Sequence, residues 1–148
     1  MNRLFVVAES PALLAGMAYP EPATDWAELH RRGFRRLVRL HPGNYDPSPL
    51  RVDDVELEDL YGGRSPTDPA AERSRVLEAA ELAARYVRSG EGVVVHCVGG
   101  TGRTGTVLVC ALRRLGTPVD EAVAAVQEHR PHWPESPWHE EVARGDSV

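Results

Sequence analysis

The stretch from Gly92 to Leu115 leaves this chain few ways to fold, because a short apolar run, Gly92 to Val95, passes through one tight turn into a helical apolar pattern, Gly102 to Leu115. A strand that re-emerges as a helix is a βα unit, so a buried strand and a helix packed back on its sheet are predicted. The turn, His96-Cys97-Val98-Gly99-Gly100-Thr101-Gly102-Arg103-Thr104, gathers one thiol, one guanidinium and three glycines. Glycines at 99, 100 and 102 let successive backbone N–H groups converge on one centre, a conformation in which a Cβ would clash. The first N–H groups of the following helix lack intrahelical partners and lie at the positive end of its dipole, so they point at the same centre. The result is an anion cradle with a nucleophile inside it.

A helix N-terminus and a neighbouring arginine both favour the charged form of a thiol, so Cys97 reads as an activated nucleophile. Arg103, six residues on, can close over the loop and grip two oxygens of a phosphoryl group in its planar fork, a geometry lysine cannot copy. Thr104 can donate its hydroxyl to the sulfur and help the thiolate leave in a second chemical step. Two plainer explanations fall short. A nucleotide-binding P-loop needs glycine at position 97 and lysine at 103, and the chain contains no lysine. A buried core thiol, the commonest role of a free cysteine, explains neither the glycines nor the arginine.

Cys97 to Arg103 matches the C-x5-R signature of the cysteine-dependent protein phosphatases, with the preceding His96 and following Thr104 also in place. The surroundings resemble the small dual-specificity branch, including the cyclin-dependent-kinase-associated phosphatases, through Leu14-Ala15-Gly16 with Pro20 and through Gly33-Phe34-Arg35-Arg36-Leu37-Val38. The resemblance runs from about Leu4 to Val142. It implies a phosphatase acting on phosphotyrosine and on phosphoserine or phosphothreonine through a cysteinyl-phosphate, with no metal and no cofactor. Val98, Gly99, Gly100, Thr101, Gly102 and Arg103 would hold the phosphate, and His96 would orient the loop.

Expelling an alkoxide from phosphorus needs a proton donor, best carried on a movable loop. Asp59 and Asp68 are the candidates. The run Asp59-Leu60-Tyr61-Gly62-Gly63-Arg64-Ser65-Pro66 resembles the family's acid loop, with Gly62 and Gly63 as its hinge. Asp68 precedes Pro69, the pattern of a helix N-cap, which accounts for it without catalysis. Asp59 is therefore preferred. Glu56 and Glu58 are weaker rivals, since strand alternation turns both away from the face of Leu57.

Strand-like runs fall at Leu4 to Ala8, Ala12 to Ala15, Arg36 to Leu40, Val52 to Leu57 and Val93 to His96. Helices interleave with them. Thr24 or Asp25 caps one that Gly33 stops, and Asp68-Pro69 opens a long one with Val76, Ala80, Ala83 and Val87 on its inner face before Ser89-Gly90. Thr117-Pro118 opens another, with Val119, Ala122, Val123 and Val126 inward, and Ser136-Pro137 opens the last, with Trp138 and Val142 inward. The fold class is α/β: a central, mostly parallel twisted sheet of about five strands flanked by helices, like that of protein tyrosine phosphatases. Residues 1–148 suit one catalytic domain.

A net charge of −5 and a pI near 5.7 argue against a nucleic-acid partner. The arginine-rich run Arg31 to Arg36 reads as a solvated helix end. Asn2-Arg3 with Leu4 to Ala8 is too brief for a secretory segment and no run reaches membrane-spanning length, so a cytoplasmic monomer acting on a phosphorylated protein or peptide is expected. Two cysteines fit a reducing compartment, and Cys110 falls on the apolar side of its helix as a packing residue. His41, His129, His132 and His139 have no metal-binding spacing. Trp133 and Trp138 with Pro131, Pro134 and Pro137 read as packing beneath the last helix, Trp133 also being able to rim the pocket. Seventeen basic residues, all arginine, and abundant alanine fit a GC-rich bacterial source. The resemblance leaves two other readings open: a phosphate-binding module without turnover, and a phosphatase of a non-protein ester such as a phosphoinositide, against which the absence of lysine in the loop counts.

Overall fold

Gly92 to His96 form the centre of the sheet because this segment is apolar on both faces, the pattern of a strand covered on two sides. The computed structural model describes residues 4–145; Asn2 and Arg3, read above with the first apolar run, and residues 146–148 lie outside the described residues. The strands are β1 (Phe5–Ala8), β2 (Leu14–Met17), β3 (Phe34–Arg39), β4 (Arg51–Asp54) and β5 (Gly92–His96). The helices are α1 (Trp26–Arg31), α2 (Pro69–Arg88), α3 (Gly102–Arg114), α4 (Val119–Gln127) and α5 (Pro137–Arg144). Strand order is β1-β2-β5-β3-β4, with β1 antiparallel to β2 and the other pairs parallel. This is the mostly parallel α/β sheet expected.

Period-two alternation sends Leu14, Val38, Val93 and Val95 into the core beneath α2 to α5, while Ala15, Leu37 and Val94 meet Trp26 and Leu29 of α1 on the other face. Helix starts follow the caps: Asp25, Asp68 and Ser136 each accept a backbone N–H of the first turn, and Pro69 and Pro137 open their helices. The inner face of α2 contains Val76, Ala80, Ala83 and Val87 as expected.

Three expectations shift. Strand β2 lies at Leu14–Met17, two residues later than Ala12 to Ala15, because that register pairs it with Val93 to His96. Strand β4 ends at Asp54 rather than Leu57, since its partner β3 gives out at Arg39. Val55 and Leu57 still donate to the carbonyls of Arg39 and Leu40, at 2.9 and 3.0 Å, and stay buried. In α5 the buried side chains are His139, Val142 and Ala143; Trp138 is half-buried.

Strands β2, β5 and β3 run parallel and end together, at Met17, His96 and Arg39. Tyr19, Cys97 and His41 therefore follow the carboxyl ends of neighbouring strands, where open α/β sheets hold their ligands.

Candidate active site

Cys97 leaves β5 and is almost fully buried, 2% exposed, at the floor of a pocket of about 190 Å³. The loop after it is tied to the segment that follows β2, Tyr19 N–H donating to the Val98 carbonyl at 2.8 Å. Gly100 has φ +76°, and a Cβ there would meet the backbone of Met17 and Ala18 at 2.7 Å. Only glycine fits without strain. Gly102 is needed for another reason, because a Cβ would strike the Glu135 carboxylate and come within 3.2 Å of His139 Cε1. Gly99 departs from expectation: nothing lies within 4 Å of its Cβ position, so neither strain nor crowding demands glycine there. Thr101 supplies no side-chain cap to α3, which leaves the first N–H groups of that helix facing the pocket.

Among the described residues, the side-chain donor to the sulfur is the Thr104 hydroxyl at 3.0 Å. Arg103 is buried, and its guanidinium donates through one nitrogen to the Leu57 carbonyl and to His41 Nδ1, both at 3.2 Å. Its other terminal nitrogen lies 3.8 Å from the Asp59 carboxylate, which is 60% exposed. Asp59, Cys97 and Arg103 thus line one pocket. Asp68 is elsewhere, its carboxylate accepting the Ala71 N–H at 3.2 Å as the cap of α2. Glu58 is also occupied: it accepts the N–H and hydroxyl of Thr67 at 2.9 and 3.0 Å, and the backbone bond, then the hydroxyl, hold its carboxyl below the usual range. Glu56 lines an adjoining groove with Glu58, away from Cys97.

His96 is fully buried behind the loop. Its Nδ1 is 2.8 Å from the Cys97 carbonyl, which can only accept, so Nδ1 carries the hydrogen and Nε2 accepts from the Tyr45 hydroxyl. Burial pushes the His96 imidazole down to about 4 and the Tyr45 phenol up to about 12, so both stay neutral and the chain of bonds keeps one direction near pH 7. Tyr45 in turn stacks on Trp26, ring planes 4° apart. The orienting arrangement thus reaches through to the far face of the sheet.

Two pocket residues carry no signal in their own sequence surroundings. Glu135, in the turn before α5, and His139, on its first turn, form the wall over the start of α3. Burial, and then the nearby Arg103 charge, push His139 down to about 4. The glycine at 102 is the one trace of them in the sequence. Trp133 packs on Gly105 and donates to Thr106 Oγ1 at 3.2 Å, a core contact away from the pocket lining. Cys110 is a core thiol pushed up to about 11 by burial. Among the described residues no group of three or more His, Cys, Asp or Glu is arranged to hold a metal ion, and no helix is long and apolar enough to cross a membrane.

Residues 15–117 match the family described as "Polymorphic toxin system, DSP-PTPase phosphatase". Protein tyrosine phosphatase type IVA 3 of Mus musculus is 29% identical over 105 residues, 70% of this chain and 59% of that protein. The crystal structure of Tk-PTP in its active form has a TM-score of 0.68 at 28% identity, covering 87% of each chain. An S-adenosylmethionine:tRNA ribosyltransferase-isomerase of Anaeromyxobacter dehalogenans is 42% identical over 82 residues, 55% of this chain and 21% of that enzyme, so the chain spans about a fifth of the length of such curated relatives.

Proposed function

The chain belongs to the DSP-PTPase phosphatase family of polymorphic toxin systems, and on that premise we propose that it is a protein phosphatase that hydrolyses phosphotyrosine, and phosphoserine or phosphothreonine, through a cysteinyl-phosphate. The observation that carries the reading is the meeting of Cys97, Arg103 and Asp59 around one pocket.

The Cys97 thiolate attacks phosphorus in line. The phosphorus–oxygen bond breaks, and the leaving oxygen takes the proton of the Asp59 carboxyl. Water then attacks the phosphoryl-enzyme, gives its proton to Asp59, and the phosphorus–sulfur bond breaks to restore the thiolate. Throughout, the N–H groups of Val98, Gly99, Gly100, Thr101, Gly102 and Arg103 and the Arg103 fork hold the equatorial oxygens. They stabilise the charge of the transition state more than that of the ground state. His96 orients the loop from behind. Thr104 steadies the departing sulfur.

Tyr61 and Val98, the large apolar side chains exposed among the described residues, lie at the mouth of this pocket. They are placed to touch whatever group carries the phosphate, which fits a substrate that extends beyond the pocket. The same reading takes residues 1–148 as one catalytic domain, a monomer working without a metal in a bacterial cytoplasm. Two free cysteines support a reducing compartment.

The test is turnover, with a chelator present, of a phosphotyrosyl peptide, a phosphothreonyl peptide and a phosphoinositide. Hydrolysis of the peptides that Cys97→Ser abolishes is expected. Phosphate binding without turnover of any of the three would make the chain a binding module, and turnover of the lipid alone would move it to a different substrate class.

A further inference from the structure

Four successive residues, Leu57 to Leu60, are all engaged. The Leu57 carbonyl accepts from Arg103 at 3.2 Å, the Glu58 N–H donates to Glu72 Oε2 at 2.8 Å, the Asp59 carboxylate faces Arg103 at 3.8 Å, and Leu60 is buried. Arg103 therefore grips this strap from the pocket side and Glu72 grips it from α2. Glu72 is an unusual choice for its position. Its side chain is 2% exposed, and its other oxygen is met by Arg75 at 2.9 Å. A buried carboxylate is strongly unfavourable unless its oxygens are satisfied. An apolar residue would fill this turn of α2 without that cost. Helix capping does not explain the carboxylate, because Asp68 already caps α2.

The strap is tied a second time. The Glu58 carboxylate closes the base of residues 58–67 by holding Thr67, and Arg64 donates to the Asp59 carbonyl at 3.1 Å. The residues with positive φ, Gly62 at +75° and Gly63 at +81°, come after Asp59. Asp59 thus sits one residue from a buried anchor, on the base of the loop, and the glycines lie beyond it. This differs from a hinge that would carry the acid itself.

We propose that Glu72 is a positioning residue of the phosphatase reaction, which sets the places of Asp59 and Arg103 through the Glu58 backbone. The inference rests on reading Asp59 as the acid. A general acid contributes about 10²–10⁴-fold, and it contributes most to the departure of a poor leaving group.

The experiment compares kcat/KM on phenyl phosphate and on 2,4-dinitrophenyl phosphate, whose leaving group needs little protonation, for Asp59→Asn, Glu72→Asp and Glu72→Gln. Glu72→Asp keeps the charge but withdraws the acceptor by one methylene, whereas Glu72→Gln keeps an oxygen at the Glu58 N–H. Glu72→Asp is expected to lose about tenfold or more on phenyl phosphate and less than about threefold on the dinitrophenyl ester, with Glu72→Gln within about threefold of the parent on both. The opposite ranking of the two variants, or equal loss on both esters, would give Glu72 a purely structural or charge role and overturn the proposal. Asp59→Asn separates the two levels: equal loss on both esters removes Asp59 as the acid, and discrimination by Asp59→Asn without discrimination by Glu72→Asp removes only Glu72. Should Glu72→Asp fail to fold, the pH–rate profile of Glu72→Gln decides. Retention of the limb that Asp59→Asn abolishes supports the proposal, and its loss in a folded protein overturns it.

Discussion

Replacing Thr104 by valine keeps the shape of a fully buried side chain and removes one hydrogen bond, the 3.0 Å contact from its hydroxyl to the Cys97 sulfur. The methyl group packs against Gly16 of β2, where a Cβ would come within 2.8 Å of Thr104 Cγ2, so a variant that keeps it leaves that contact intact. Valine retains that methyl. A hydrogen bond to an ionised partner contributes about 1.5–3 kcal/mol, which is about 10- to 150-fold in rate if it is present in the transition state and absent before it. That condition holds for one step. In the cysteinyl-phosphate the sulfur is bonded to phosphorus and nearly neutral, and it regains charge only as that bond breaks. In the first step the thiolate already holds the bond in the ground state, so its loss there changes the barrier little. Thr104→Val should therefore lower kcat by about 10- to 150-fold and kcat/KM by much less. Rapid mixing with a chromogenic aryl phosphate should then show a burst equal to the enzyme concentration, with phosphoryl-enzyme trapped on quenching. Equal loss in kcat and kcat/KM with no burst would refute the assignment of this hydroxyl to the leaving sulfur.

The glycines of the loop should separate on substitution. Gly100→Ala carries the left-handed penalty of about 1–2 kcal/mol as well as the collision with β2 at 2.7 Å, so calorimetry should record a melting temperature lower by at least about 2–8 °C; Gly99→Ala should melt within about 1 °C of the parent. Acid should destabilise the fold through His96 and His139, both pushed from 6.5 down to about 4 by burial. Between these values the unfolded chain binds the extra protons, so their stabilising contribution is present above pH about 6.5 and is lost as pH falls through about 4. Melting temperatures should drop across that window and His139→Phe should flatten the drop; an unchanged slope would contradict the assignment. Tyr61 is 82% exposed, so Tyr61→Ala should leave melting unchanged while raising KM for a phosphotyrosyl peptide about two- to tenfold through lost ring contact. KM for a phosphothreonyl peptide should move little, and parallel increases would speak against the aromatic contact.

The parts of this protein legible in sequence are those whose determinants lie close together along the chain. Nine consecutive residues carry the thiol, the guanidinium, the Thr104 hydroxyl and the turn that joins them, and the Asp68-Pro69 pair declares its own capping role. The end of β4 was not legible, because it depends on where β3 stops, and that is decided by residues more than a dozen positions away. The same holds for Glu72, Tyr45, Glu135 and His139. Each acts on the loop from another element, and nothing in its neighbours marks it. Glycine is the partial exception, since it records what packs against it: Gly102 makes room for Glu135 and His139, and Gly105 for Trp133. The three loop glycines are alike in sequence, yet their surroundings differ. Gly100 answers to backbone strain and Gly102 to neighbouring side chains, while Gly99 answers to neither and lines the pocket itself. A side chain at Gly99 would enter open space, so neither the conformation of the loop nor its packing requires glycine at that position.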